Sequence, residues 1–166
     1  MSNKFLQLKI ISHYIDGALV EPSSGVYLDN IDPSTGECYS KIPAGDSVDV
    51  DLAVDAAQRA FPQWSQTAAA ERSRIMVRLA DLIHEHRTAL AEAECIDNGK
   101  PLSLALQMDI PRAEDNIRFF ATAILHWNSE AHIMENRAIN YTNRKAIESW
   151  LAFLRGICPC ICSPGK

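Results

Sequence analysis

Chemistry in this chain has few places to reside. Three cysteines alternate near the end, Cys158, Cys160 and Cys162. In an extended strand their thiols share one side, where a soft metal could use them. Structural zinc sites space their ligands by two to four residues and close with a fourth, and neither feature is present. His84 and His86 stand two apart on a helical pattern, so they do not share a face as an i, i+4 metal pair does. Cys95 and Cys38 read as small packed residues. Gly36, Gly45 and Gly99 are isolated, suit turns, and form no phosphate-binding loop. Lys100 and Glu71 read as structural charges.

Composition narrows the class. The chain has 166 residues, 47% of them apolar and 22% charged, which suits one globular domain. A net charge of −5 offers no footprint for nucleic acid. No apolar run is long enough for a membrane helix, and the first eleven residues are too polar for a signal peptide. Five cysteines, an odd number, do not suit a disulfide scaffold. The expectation is a cytoplasmic protein with no nucleic-acid or membrane partner.

The elements that must position these residues follow in order. Asp16-Gly17 between short apolar runs predicts a hairpin over 13–20. Strands are expected over 25–31 and 38–42, joined by the turn Asp32-Pro33-Ser34-Thr35-Gly36-Glu37. Asp46 and Ser47 cap a helix of about 47–63, with Asp49 and Asp51 favoured by its dipole and an end near Pro62. A second helix spans about 69–97. Its apolar face takes Ile75, Leu79, Leu82, Ile83, Leu90 and Ala93, with one heptad interrupted at His86. It stops where Asn98-Gly99 offers a left-handed cap before Pro101. A third helix is expected over about 109–127, capped by Asp109, with Pro111 in its first turn. Its stripe is Ile110, Ala113, Ile117, Phe120, Ala121 and Ile124. Residues 138–147 turn to strand-like composition.

Several of these segments resemble one family. Tyr14-Ile15-Asp16-Gly17, then Asp32-Pro33-Ser34-Thr35-Gly36-Glu37, are similar to the opening strands of NAD(P)-dependent aldehyde dehydrogenases. The commoner form there begins with Asn, so Asp32 is a departure. The segment 54–64, the helix start Glu71-Arg72-Ser73-Arg74 and the ending Asp97-Asn98-Gly99-Lys100-Pro101 resemble the same family. Met108-Asp109-Ile110-Pro111-Arg112 with Phe119-Phe120 looks most like its aminomuconic or hydroxymuconic semialdehyde branch. The resemblance implies an α/β fold: the N-terminal segment of the family's architecture, hairpins then long helices, without most of the Rossmann-like sheet or the catalytic domain.

It also implies a function. In the family a Cys thiolate attacks an aldehyde, hydride passes to NAD or NADP, and a Glu activates water, giving the carboxylic acid. The segments carrying those groups have no counterpart in these residues, so no catalytic or cofactor-binding residue is assigned. The chain alone is expected to be inactive and to bind neither NAD nor NADP well. Many members hold a monovalent cation at positions matching Asn30, Ile31 and Asp97, where two carbonyls and a carboxylate supply hard oxygen ligands. The simpler role for Asp97 is to anchor the loop.

The resemblance covers 1–147 and lapses over 148–166. Reading the codons from Glu148 onward shifted by one base can yield Gly-Val-Val-Ala-Cys-Ile-Ser-Pro, then Trp-Asn, which is similar to the family's continuation. The expectation is therefore an out-of-frame tail on a truncated fragment that does not form a native parallel strand. Two alternatives of different class are a module that associates with an intact, full-length dehydrogenase, and a small thiol or metal protein built on the tail.

Overall fold

A computed structural model describes residues 10–135 and 137–146. The architecture is mixed α and β: three separate antiparallel strand pairs and a set of packed helices. Among the described residues no strands form a parallel sheet. The tail that begins at Glu148, with Cys158, Cys160 and Cys162, lies outside the described residues.

The first pair, β1 (His13–Ile15) and β2 (Ala18–Val20), closes through a two-residue turn. Both turn residues lie in the left-handed region, Asp16 at φ 54° and Gly17 at φ 80°, as a tight right-twisted hairpin requires. The second pair, β3 (Tyr27–Ile31) and β4 (Cys38–Pro43), runs antiparallel, with a register shift at Asn30/Ile31. In the connecting turn the Asp32 carboxylate accepts from the Ser34 amide and hydroxyl, which holds it below the usual carboxylate range.

Helix α1 (Ser47–Gln66) begins on a reciprocal cap. Asp46 accepts from the amides of Val48 and Asp49, and Asp49 Oδ2 accepts from the Asp46 amide at 3.1 Å. Asp49 therefore does more than favour the dipole. Only 3% exposed, it also accepts from the amide and hydroxyl of Ser23, with His13 Nε2 3.6 Å away. The helix runs three residues beyond the expected end near 63, through Pro62 to Gln66. Pro62 forgoes the bond its missing N–H would have made, and the last turn of α1 forms beyond it.

The expected long helix over 69–97 is two helices, α2 (Ala69–Glu85) and α3 (Arg87–Asn98), meeting at His86 (φ −101°, ψ 13°). The interrupted heptad marks the joint. Two partners explain it: α2 packs on the last helix, whereas α3 packs on the segment before that helix. The buried face of the pair is Leu79, Ala80, Ile83, Leu90, Ala91 and Cys95, whereas Ile75 is exposed. Helix α3 ends as expected on Gly99 at φ 75°.

A single turn, α4 (Leu102–Leu104), leads into a wide π-helical turn over Ala105–Asp109 and on into α5 (Ile110–Ala123). The chain is already helical at Asp109, so that residue does not cap α5. Its carboxylate turns to Lys100 instead. Helix α5 presents Ile110, Ile117 and Ala121 inward, while Ala113 and Phe120 are exposed, at the margin of the expected stripe. A short 3-10 turn (Ile124–His126) follows, then a hairpin of β5 (Ala131–Met134) and β6 (Ala138–Tyr141). The core sits where Ile83, Ala91, Ala105 and Ile110 meet.

Candidate functional site

Asn30 and Asp97, 67 residues apart, come together. Asn30 sits where the β3–β4 register shifts, and such an irregularity re-aims a side chain off the ladder. Asp97 lies in the last turn of α3, before Gly99 redirects the chain. Asn30 Nδ2 donates to Asp97 Oδ1 at 3.1 Å, and the Tyr39 hydroxyl donates to the same oxygen at 2.8 Å. Asn30 Nδ2 also reaches the Tyr39 oxygen at 2.7 Å. Burial and the Asp97 carboxylate together push the Tyr39 phenol up to about 12. Ile31 enters the cluster only as the residue next to the shift.

Tyr39 is the member that sequence reasoning missed. Its position one residue into β4 carries no signal, because only pairing of β3 with β4 and docking on α3 bring it to Asp97. Pro33 completes the junction. A Cβ on Gly99 would stand 2.9 Å from Pro33 Cγ, so the turn after β3 rests directly on the α3 cap.

A hard cation needs oxygen ligands. Here one carboxylate oxygen already accepts two hydrogen bonds, and Asn30 turns its NH₂ inward, as a neighbouring carboxylate requires. The side chains thus fit an anchor between hairpin and helix. A cation at this place would rest on backbone carbonyls together with Asp97. Among the described residues no cluster of three or more His, Cys, Asp or Glu side chains could hold a metal ion.

The other sequence candidates take structural positions. Lys100 Nζ bridges Glu94 at 2.9 Å and Asp109 at 2.6 Å, and these partners, Asp109 first, raise its pKa. Glu71 pairs with Arg74 one helical turn on. His84 and His86 do not converge. His84 Nδ1 meets Glu114 at 3.0 Å, while His86 stands at the joint of α2 and α3. Hydrogen bonding to His84, then Arg118, holds Glu114 below the usual carboxylate range. Burial pushes the Cys95 thiol up, away from the thiolate a nucleophile needs. Cys38 is exposed and its Sγ lies 3.3 Å from the Ser40 carbonyl oxygen.

Comparison with known proteins decides the relationship. The profile of the aldehyde dehydrogenase family matches residues 19–153. This chain belongs to the aldehyde dehydrogenase family. It is 44% identical over 141 residues to the bovine 2-aminomuconic semialdehyde dehydrogenase and 42% identical over 141 residues to the human one. Each alignment covers 84% of the chain and 28% of the relative. Among solved structures, the NAD⁺ complex of an aldehyde dehydrogenase from Bacillus cereus superposes with a TM-score of 0.78 at 33% identity. That superposition covers 82% of this chain and 28% of the other. The chain thus spans a little over a quarter of these dehydrogenases, and the semialdehyde resemblance read from 108–120 points to the same relatives. No helix among the described residues is long and apolar enough to cross a membrane.

Proposed function

We propose that this chain serves as the N-terminal scaffold segment of an NAD(P)-dependent aldehyde dehydrogenase. The whole protein would oxidise an aldehyde, of the semialdehyde class, to a carboxylic acid. The observation that carries this is the similarity to 2-aminomuconic semialdehyde dehydrogenases across 84% of the chain. The chain's own part is structural: α2, α3 and α5 pack together, and the Asn30–Tyr39–Asp97 junction ties a hairpin to them. Among the described residues no side chain is placed as a nucleophile or general base, and the chain alone is expected to be inactive.

Two measurements test this. The purified chain, given NAD⁺ or NADP⁺ and a panel of aldehydes, should show no rise in absorbance at the nicotinamide wavelength, and chain-dependent reduction refutes the inactivity. A chimera, in which this chain replaces the matching segment of the bovine dehydrogenase, should oxidise 2-aminomuconic semialdehyde. A folded but inactive chimera overturns the scaffold role.

A second reading has its own support. Every residue of β5 and β6 is exposed, with Ile133 at 78%, Ile139 at 66% and Tyr141 at 73%. Register places Ile133 opposite Ile139 and Tyr141 opposite Ala131 on one apolar face. A two-stranded hairpin is marginal in water by itself, so this face suits association with a full-length homologue. Co-purification with such a dehydrogenase, lost on Ile139→Lys, would support it. For Asn30, Ile31 and Asp97 the anchor is the proposed role and a monovalent cation the alternative. Stability that rises with K⁺ or Na⁺ in the native chain but not in Asp97→Asn would favour the cation.

A further inference from the structure

Of the asparagines in this chain, only Asn98 is followed by glycine. Such a pair is chemically labile. The amide nitrogen of the next residue can attack the asparagine side-chain carbonyl carbon, and glycine leaves that approach open because it has no Cβ. Asn30 and Asn116 are each followed by isoleucine, whose branched Cβ obstructs the same approach.

Asn98 and Gly99 are both exposed to water, yet the fold holds them out of the reactive geometry. Ring closure needs the Asn98–Gly99 peptide to turn out of its helical conformation and carry its nitrogen toward Asn98 Cγ. Local bonds oppose that turn. The Gly99 amide donates to the Cys95 carbonyl at 2.8 Å. Asn98 Nδ2 donates to Glu94 Oε1 at 2.5 Å, and Asn98 Oδ1 accepts from the Lys100 amide at 3.0 Å. Bonds of this kind at an exposed helix end open readily. A further restraint comes from far along the chain. Pro33 lies so close to Gly99 that an added Cβ would stand 2.9 Å from its Cγ. Pro33 belongs to the β3–β4 turn, and that hairpin is held down by Asn30 and Tyr39 on Asp97. The hairpin thus braces the labile peptide from outside the helix.

We propose that Asn98–Gly99 is a deamidation site guarded by the β3–β4 hairpin, and that its modification releases the hairpin irreversibly. When the hairpin lifts, hydroxide removes the Gly99 amide proton, the nitrogen bonds to Asn98 Cγ, and the side-chain nitrogen leaves as ammonia. Water then opens the cyclic imide. Opening at Cγ gives aspartate, and opening at the backbone carbonyl gives isoaspartate. The step is a substitution and a hydrolysis, with no change of oxidation state. Either product works against the cap. Aspartate replaces the donor to Glu94 with a second carboxylate and puts negative charge at the negative end of the α3 dipole. Isoaspartate routes the main chain through Cβ, so that Asp97 and Gly99 no longer meet Tyr39 and Pro33 together. The site records, as a covalent change, that the junction has opened.

The test follows the full chain at mildly alkaline pH and physiological temperature. Mass spectrometry of peptides spanning Asn98 reads the mass of water gained less ammonia lost. The same incubation in urea that unfolds the chain gives the unguarded rate. Asn98 should deamidate at least tenfold more slowly in the folded chain than in urea. Pro33→Ala and Tyr39→Phe, each referred to its own rate in urea, should lose at least threefold of that protection. Ile83→Val, in the core and away from the junction, should keep its protection within twofold. Modified chain, separated by ion exchange, should exchange the amides of β3 and β4 at least tenfold faster than native chain. Absence of the mass change in urea overturns the site. Equal rates in the folded and unfolded chain overturn the guard, and so does a loss of protection in Ile83→Val as large as in Pro33→Ala. Unchanged exchange in the modified chain overturns the release.

Discussion

Two hairpins of similar construction meet opposite fates in this molecule. β3–β4 and β5–β6 are both two-stranded and antiparallel, joined by short connections. The first is keyed to α3 by Asn30 and Tyr39 on Asp97, and its turn rests on Gly99 through Pro33. The second leaves every strand residue exposed. Its polar contacts stay local: Thr142 donates to the Glu130 carbonyl at 2.9 Å, and Asn140 reaches the sulfur of Met134 at 2.9 Å. The ladder is present in both, so ladder hydrogen bonds do not separate them. What separates them is the surface each one meets, because a strand pair gains its stability from what its faces bury.

That contrast can be broken most forcefully at Gly99. Gly99→Val puts a β-branched residue at φ 75° and a Cβ against Pro33. Thermal unfolding followed by circular dichroism should register a loss of about 2–4 kcal/mol. A loss below 1 kcal/mol would mean that the hairpin does not rest on the helix cap. Next comes Asp97→Ala, which leaves the Tyr39 hydroxyl and Asn30 amide without their acceptor and should cost about 1–3 kcal/mol. Adding Tyr39→Phe should recover part of that loss, and strict additivity of the two substitutions would deny the coupling.

A subtler handle is alkaline titration. The folded Tyr39 phenol holds its proton up to about 12, against an ordinary value of 10.0. The folded chain therefore binds the proton more tightly than the unfolded one. This contribution is complete below pH 10 and fades as pH rises from 10 towards 12. Unfolding measured across that window should show a steeper decline for the native chain than for Tyr39→Phe. Parallel curves would remove Tyr39 from the junction. The smallest effect belongs to the bare hairpin. Ile133→Thr should change stability by no more than about 0.5 kcal/mol. A loss above 1 kcal/mol would show that β5–β6 buries more than its exposed strands indicate.

Sequence made the local signals legible and left the long-range ones dark. Asp16-Gly17, Asp46 and Asn98-Gly99 act within a turn of their own position, and all three perform as their chemistry dictates. The His86 irregularity was visible as a missed apolar beat, but that it parts two helices depends on α2 and α3 having different neighbours. Asp49 looked like a first-turn acid. Its bond to Ser23 spans 26 residues and follows from packing that no period encodes. Tyr39 and Asp97 are 58 residues apart for the same reason. The stripe on α5 was read as a single face containing Phe120. A helix rich in apolar residues on both sides does not declare which side its own chain will cover.

The wide turn at Ala105–Asp109 sets which side that is. A π turn carries one residue more than an α turn, and each residue rotates a helix by about 100°. Deleting Gln107 would let the segment wind as ordinary α-helix and swing the whole of α5 around its axis by that amount. Phe119 and Phe120 would move toward α2, and the salt bridge of Arg118 to Asp81 would be drawn out of reach. Insertions and deletions here are thus equivalent to many simultaneous substitutions, and the length of this five-residue segment should be under stricter evolutionary constraint than the identity of most side chains within it.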